Sequence, residues 1–297
     1  MTHQGPILAA TDFSAQARHA AERAAVLAQE VDTRLALLHV QPGEPLAQLR
    51  AWLGPGSAAE RQVPEAASTL LAQLVGELGT RCPVPVDARL GYGAVLDEIL
   101  READACDARL IVTGARGTGF LRRLVVGSTA ERLMRRTQRP LLVVRQMPHE
   151  PYRRVLVALD FSPWSREALA LAMAVAPQAR LVLLAAFEVP FEGRLQMAGV
   201  DAATIEAYRR EARLDAMRRL QALAEEAGLP TTRWVPCVVE GDPSLRIVEA
   251  EQMQDCDLTV LGKHGRPVTA DLLLGSVTKH VLAEGSADVL VSTAREA

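Results

Sequence analysis

The amino-acid sequence predicts an α/β fold made of two tandem doubly wound domains, each with a five-stranded parallel sheet and helices on both faces. Short apolar runs rich in Val, Ile and Leu recur along the 297-residue chain, as expected for strands buried on both faces. Stretches with helical spacing separate these runs, and the alternation of strand and helix favours a parallel sheet. The runs also occur twice in one order, which indicates a tandem duplication.

Each strand of the first repeat has a counterpart in the second, and Asp160 follows Asp12 by 148 residues. The matching segments are PILAATDFS (6–14) with VLVALDFS (155–162), RLALLHV (34–40) with RLVLLAA (180–186), the segments around Gly93 and Gly241, RLIVTG (109–114) with DLTVLG (257–262), and PLLVV (140–144) with DVLVS (288–292).

The sequence also contains signals for helix starts and one irregular segment between the predicted strands. Ser14 predicts the cap of a helix that ends near residue 31, and Ser162 followed by Pro163 predicts the start of its counterpart. The second strand of the first repeat is followed by an irregular segment at 43–64. In the second repeat a shorter excursion precedes a helix of about 203–227.

Length and composition limit the classes of protein to which the chain can belong. A chain of 297 residues predicts about two domains, which the repeat places at 1–147 and 152–297. Apolar residues make up 49% and charged residues 23%, which is typical of soluble globular proteins. The formal net charge of −3 indicates no broad basic surface for nucleic acid, and no apolar run is long enough to cross a bilayer. Since the N-terminus does not resemble a secretory leader, we expect a cytoplasmic protein that binds neither nucleic acid nor membrane.

The spacing of the cysteines does not indicate a metal site or a disulfide. Cys82, Cys106, Cys237 and Cys256 form no CxxC pair and do not coincide between the repeats. We therefore expect reduced thiols, with a redox switch as the alternative.

A glycine template follows the fourth strand of both repeats: Gly, two residues, Gly, nine residues, Gly, Ser. It runs from 114 to 128 and again from 262 to 276. Glycine permits a positive φ or a close backbone approach, and a helix that starts after the third glycine offers free N–H groups to an anion. We therefore expect a polyphosphate site. The sequence has no Walker P-loop, and strand 1 is not followed by the GxGxxG of a dinucleotide-binding domain.

This template, with Asp12 and Asp160 at the ends of the first strands, resembles the nucleotide-binding pattern of the universal stress protein family. The resemblance covers nearly the whole chain, as two fused family domains. It implies the strand order 3-2-1-4-5, which places strands 1 and 4 side by side where ligands of such sheets bind. It also implies ATP or a related adenine nucleotide as the ligand, with Mg²⁺ as a further candidate.

The resemblance assigns phosphate contacts to the glycine template and to the start of the helix that follows it. These positions are Gly114, Arg116, Gly117, Gly127, Ser128 and Thr129 in the first repeat, and Gly262, His264, Gly265, Gly275, Ser276 and Val277 in the second. The alternative for the glycines is a turn inherited from a nucleotide-binding ancestor, and the alternative for Arg116 is a side chain that points into solvent. The resemblance implies that Asp12 and Asp160 face the adenosine end of the ligand or a metal; the alternative is that they only cap the helix that starts nearby. It also implies that the main chain at Val40, and at Ala186 in the second repeat, faces the adenine edge.

Three functions remain open from these residues. The favoured one is a stress protein that binds ATP and signals stress or energy state through its bound and free conformations. An adaptor or chaperone-like protein with vestigial sites is the second. A slow ATPase or phosphotransferase is the third, although the sequence shows neither a P-loop lysine nor an obvious arginine finger.

The fifth strands are expected to join the repeats. Residues 141–145 and 289–293 are apolar and lie at a sheet edge, and an exposed edge invites pairing. We therefore expect an intramolecular pseudo-dimer, with a further homodimer left open.

The two glycine loops differ in charge. The first carries Arg116, Arg122 and Arg123, a formal +3, whereas the second carries Lys263 and Arg266 against Asp271, which sum to +1. The larger positive charge predicts tighter ATP binding in the first repeat. Each charge contact open to water is weak, so the expected difference in affinity is only several-fold.

Overall fold

The computed structural model describes residues 5–43, 51–52, 58–115, 127–189, 192–263 and 274–293. In the first repeat the elements are β1 (Ile7–Thr11), α1 (Ala15–Glu30), β2 (Leu35–Pro42), α2 (Ala58–Arg81), β3 (Val86–Gly93), α3 (Val95–Ala105), β4 (Leu110–Gly114), α4 (Ser128–Arg136) and β5 (Leu141–Val144). In the second they are β6 (Arg154–Ala158), α5 (Pro163–Val175), β7 (Arg180–Phe187), α6 (Glu192–Met197), α7 (Ala202–Glu226), β8 (Trp234–Glu240), α8 (Pro243–Met253), β9 (Leu258–Gly262), α9 (Ser276–Glu284) and β10 (Asp288–Ser292). Of the helices described, none is both long enough and apolar enough to cross a membrane.

The elements follow the predicted alternation of strand and helix, with one difference. The segment 43–64, expected to be irregular, includes the start of α2 at Ala58. Pro64 lies inside this helix. Because Pro64 lies beyond the first turn, where proline is tolerated best, the helix lacks the main-chain hydrogen bond that another residue would donate there.

The described chain forms two compact units. The first unit contains the residues up to Pro151 together with β10, the last strand in the sequence. The second unit runs from Tyr152 to Ala287. The repeat boundaries at 147 and 152 remain a prediction from the sequence.

The sheet of the first unit has the order β3-β2-β1-β4-β5-β10. Its first five strands are parallel, with Ile7 of β1 beside Leu35 of β2 on one side and Leu110 of β4 on the other. This confirms the order 3-2-1-4-5. Strand β10 runs antiparallel to β5, with Val289 opposite Val143, which confirms the expected pairing of the two fifth strands.

The sheet of the second unit repeats the arrangement. Its strands run β8-β7-β6-β9, all parallel, which is again the order 3-2-1-4. Val155 of β6 lies between Leu181 of β7 and Leu258 of β9. The predicted fold class, two tandem doubly wound α/β repeats, is confirmed.

Helix α1 approaches the sheet closely because its inner face is made of alanine. Its fully buried residues include Ala20, Ala21, Ala24, Ala25 and Ala28, each with 0% exposure. Alanine is the strongest helix former and has the smallest side chain that still covers apolar surface. The helix is therefore stable and can lie close to the strands beneath it.

Both repeats place residues in the left-handed region at the same three points. These residues are Phe13 (φ 63°) and Phe161 (φ 62°) after strand 1, Gly93 (φ 128°) and Gly241 (φ 121°) after strand 3, and Asp107 (φ 49°) and Asp255 (φ 54°) before strand 4. A positive φ is uncommon for a bulky residue such as phenylalanine. The duplication thus extends to unusual details of the backbone.

Candidate functional site

The polar groups expected to form a site meet at the carboxyl ends of the first and fourth strands. In the first unit β1 and β4 are neighbours, with Ala9 beside Val112, so Asp12, directly after β1, and Gly114, the last residue of β4, lie at the ends of adjacent strands. In the second unit Val157 lies beside Val260, and Asp160 and Gly262 stand in the same relation. The structure therefore brings the aspartate and the first template glycine together in both repeats.

The packing of the protein leaves no room for a side chain at position 114, so it requires a glycine there. A Cβ at this position would lie 2.9 Å from the main-chain carbon and oxygen of Gln16 and 3.2 Å from the Ala17 nitrogen, all at the start of α1. Its φ is not in the left-handed region, so close approach explains the glycine and a positive φ does not. This explanation holds with or without a bound phosphate.

Gly127 and Gly275 precede the helices that follow the fourth strands. They occupy the N-cap positions of α4 and α9 with φ of −62° and −57°, which any residue can adopt. Among the described residues, no side chain caps either helix start. The first N–H groups of both helices are thus left for an acceptor other than a capping side chain, and the helix dipole makes an anion a suitable one.

The described neighbours of Gly275 leave room for a Cβ. A Cβ there would meet the Lys263 oxygen at 3.6 Å and the Thr278 Oγ1 at 3.9 Å, which are ordinary van der Waals distances. Neither the backbone conformation nor the described neighbours therefore require a glycine at this position. A ligand that comes close to the main chain would require one.

The remaining predicted residues at the helix starts are accessible. Ser128, Thr129 and Ser276 are exposed, and Val277 is half-buried. The buried hydroxyl of Thr278 donates to the Gly262 carbonyl at 3.2 Å, which holds the start of α9 against the end of β9. The sequence analysis did not identify Thr278, because nothing in the template distinguishes it from a core threonine.

Asp12 and Asp160 both close a tight turn. The Asp12 Oδ1 accepts the Ser14 N–H at 3.0 Å, and the Asp160 Oδ1 accepts the Ser162 N–H at 2.9 Å. The phenylalanine between each pair has the positive φ described above. An aspartate that accepts the N–H two residues ahead stabilises this turn, so a local structural role exists in both repeats.

The second strand of the first repeat contributes a histidine next to this turn. The His39 Nδ1 donates to the Thr11 carbonyl at 2.8 Å, and the His39 and Phe13 rings have centroids 4.3 Å apart. His39 is therefore a hydrogen-bonded strand histidine, as the sequence suggests. The Val40 side chain is buried, and Ala186 in the second repeat is half-buried.

Several predicted site residues lie outside the described residues. They are Arg116, Gly117, His264 and Gly265, together with the loop charges Arg122, Arg123, Arg266 and Asp271. The predictions made for them therefore remain predictions. Within the described ranges, no group of three His, Cys, Asp or Glu side chains could hold a metal ion.

The cysteines have the properties of inert thiols. All four are free. Burial raises the pKa of the Cys82, Cys106 and Cys237 thiols, and it raises the pKa of Cys256 to about 12. Because the thiolate is the reactive form, these shifts disfavour the redox switch that the sequence left open.

Fold and site together define a class of protein with two α/β repeats, each with an aspartate after its first strand and a glycine-led helix after its fourth. The model of the universal stress protein family matches residues 5–145 and again residues 151–293. The chain therefore belongs to the universal stress protein family, as a tandem member.

Relatives and solved structures agree with this assignment. The universal stress protein Rv2005c of Mycobacterium tuberculosis is 30% identical over 191 residues, which cover 63% of this chain and 62% of that protein. The chain thus spans less than two thirds of the length of this curated relative. The universal stress protein Sll1388 of Synechocystis is 24% identical over 155 residues, which cover 47% of this chain and 97% of that protein. A universal stress protein structure from Archaeoglobus fulgidus shares the fold, with a TM-score of 0.67, 17% identity, and coverage of 96% of this chain and 97% of that one.

Proposed function

We propose that this protein binds ATP or a related adenine nucleotide at the carboxyl ends of strands 1 and 4, and acts in stress or energy-state signalling through its bound and free conformations. The single observation that carries the proposal is the glycine-led start of α9. There a helix N-terminus without a described side-chain cap lies behind Gly275, a glycine that its described surroundings do not require. A phosphate group would supply both the acceptor and the close neighbour.

The residues around this point suit a nucleotide. Hydrogen bonds to a charged acceptor contribute about 1.5–3 kcal/mol each, so a few helix-start N–H groups and the exposed Ser276 hydroxyl would give useful affinity. The carboxylate after strand 1 is only an acceptor when ionised, and it would recognise hydroxyl donors at the adenosine end of the ligand. Mg²⁺ would then come bound to the phosphates of the nucleotide, as it does in many phosphate sites.

The test replaces Gly275 by valine. A Cβ at this position meets the described neighbours only at ordinary van der Waals distances, so we expect an unchanged melting temperature and the loss of one ATP site in calorimetric titration. Gly79→Ala is the matched control, because a Cβ at Gly79 meets nothing within 4 Å and lies away from the strand ends. Native mass spectrometry of the purified protein should show a bound adenine nucleotide. A wild-type chain that carries no nucleotide and gives no heat with ATP would favour the adaptor alternative.

A further inference from the structure

The sheet of the second unit ends at β8, and no strand among the described residues pairs with the outer side of β8. The Gly241 N–H donates to the Phe187 carbonyl of β7 at 2.9 Å. Main-chain groups alternate in direction along a strand, so the N–H and C=O groups of Val238 and Glu240 point away from β7. Pro236 belongs to the same outward set, which suits a residue that has no N–H to pair. The outer edge of β8 therefore offers main-chain groups to another strand.

A groove of about 360 Å³ lies along this edge and is lined by residues of α7, β8 and α8. Its apolar lining includes Cys237 and Val239 of β8, and Ala250 and Met253 of α8. Every residue of β8 is at least partly exposed, and Met253 is 82% exposed. An open strand edge beside apolar surface is a place where another chain can pair.

An ion-pair network occupies the same place in the first repeat, at the edge strand β3. The Arg89 guanidinium contacts the Asp87 carboxylate at 2.7 Å and the Glu102 carboxylate of α3 at 3.2 Å. The counterparts of Asp87, Arg89 and Glu102 in the second repeat are Val235, Cys237 and Ala250. Charged side chains on an edge strand oppose pairing with another chain. The edge of β3 is therefore protected by charge, whereas the edge of β8 is not.

We propose that β8 pairs antiparallel with β8 of a second copy of this chain, which joins the two sheets in a two-fold dimer. With Val238 opposite Val238 of the second copy, each Val238 N–H donates to the other Val238 carbonyl. Pro236 then lies opposite Glu240, whose N–H donates to the Pro236 carbonyl. Pro236 has no N–H to return, and the Glu240 carbonyl instead accepts the Arg246 Nε of its own chain at 2.8 Å. This register therefore gives every outward main-chain group of 236–240 a partner.

The charges at this edge are complementary between identical copies. In a two-fold dimer, a surface that carries charges of one sign meets the same sign and is repelled. The groove lining instead carries two basic and two acidic side chains, which are Arg213, Arg246, Glu240 and Glu249. In addition, Arg233 directly precedes β8 and Glu240 ends it. Antiparallel pairing brings the start of one strand toward the end of the other, so these opposite charges approach each other.

The charged edge of the first repeat limits the assembly to two copies. A chain with two open edges could add further copies without end, whereas a single open edge is used up by one partner in a two-fold dimer. We therefore expect sedimentation equilibrium of the full chain to give a dimer of twice the 32.1 kDa chain mass, without larger species.

The main test replaces Val238 by proline in the full chain. The Val238 N–H points away from β7, so its loss breaks no hydrogen bond of the sheet but removes the central donor of the proposed pair. We expect dimerisation to weaken by about tenfold or more, because both central hydrogen bonds are lost. Leu90→Pro is the matched control, since Leu90 is the counterpart of Val238 on the edge strand β3. It should affect the melting temperature similarly and leave the dimer intact.

A second variant closes the groove. Cys237→Arg combined with Ala250→Glu transfers the ion pair of the first repeat to the second, and it should give a monomer with an unchanged circular dichroism spectrum. A full-length chain that is monomeric at micromolar concentration would overturn the inference. A dimer that Val238→Pro leaves intact, or that Leu90→Pro weakens equally, would overturn it as well. The pairing is independent of the proposed nucleotide function, so ATP titration and sedimentation can fail separately.

Discussion

Gly114 is the first glycine of the template in the first repeat and Gly275 is the third in the second repeat, and different neighbours explain the two glycines. At Gly114 the main chain of α1 occupies the place of a Cβ, with the Gln16 oxygen 2.9 Å away. At Gly275 the nearest described protein atom is 3.6 Å away. A sequence motif therefore mixes positions that the fold requires with positions that a ligand would require.

The space around each Cβ predicts opposite behaviour at Gly114 and at Gly79, a glycine of α2 outside the template. Gly114→Ala should destabilise the protein by about 1–3 kcal/mol, because backbone must move to admit the methyl group. Gly79→Ala should instead stabilise it by about 0.5–1 kcal/mol, since a Cβ in the open at this helical position only restricts the unfolded chain. Urea denaturation of both variants measures the two free energies of unfolding. A neutral Gly114→Ala would contradict the packing explanation.

The thiol of Cys256 has a pKa of about 12 because it is buried. An exposed thiol titrates near 8.5, so between these values the folded state keeps a proton that the unfolded state loses. The stabilisation is fully present below pH 8.5 and is lost as the pH rises toward 12. We expect iodoacetamide at pH 8 to leave Cys256 unmodified in the native protein and to alkylate it in urea. Rapid alkylation of the native protein, mapped by peptide mass spectrometry, would contradict this.

At the scale of elements, a buried ion pair anchors β10 within the first unit. The Arg23 Nε of α1 lies 3.5 Å from the Asp288 Oδ2, and the side chains are 6% and 0% exposed. The Asp288 Oδ1 also accepts the main-chain N–H groups of Arg145 and Gln146, at 2.7 and 3.1 Å. One carboxylate thus joins the start of β10, the end of β5 and helix α1.

Removal of this carboxylate should be costly. Asp288→Ala would leave the Arg23 guanidinium without this partner in a buried place and would remove the acceptor of two main-chain N–H groups. Loss of one member of a buried pair typically costs about 3–5 kcal/mol. Arg23→Met should cost less, because the Asp288 carboxylate keeps its two N–H donors. Chemical denaturation of the two variants gives the comparison, and equal or reversed costs would contradict it.

The sequence predicts elements better than it predicts side-chain partners. The alternation of strands and helices follows from the apolar runs, and the strand order follows from the resemblance to the universal stress protein family; both describe the backbone. The predicted helix from Ser14 to about residue 31 is α1, Ala15–Glu30. Ser162 takes the N-cap position as predicted, but its hydroxyl turns to Asp160 and makes no capping bond to the described helix start. The choice between these partners is made by side-chain geometry, which no periodic pattern in the sequence reports.

At the scale of the whole molecule, the end of the chain completes the sheet of its first unit. Strand β5 is fully buried, and on the side away from β4 it pairs with β10, with Leu290 opposite Leu142. We therefore expect the first repeat to depend on 288–292 for its stability, since without them it would expose an apolar strand edge. Such an edge is a template for pairing with another chain.

A truncation tests this dependence. A chain that ends at Ala287 should show a lower melting temperature and should form dimers or larger species through β5, visible by size-exclusion chromatography with light scattering. A chain that ends at Thr293 retains all of β10 and should match the full-length protein in both measurements. Leu290→Asp keeps the chain length but places a charge in the fully buried strand, and it should reproduce the truncation because an unpaired buried charge is strongly unfavourable. If the chain ending at Ala287 stays in the same oligomeric state as the full-length chain, with an unchanged melting temperature, then β10 is not needed to cover the edge of β5.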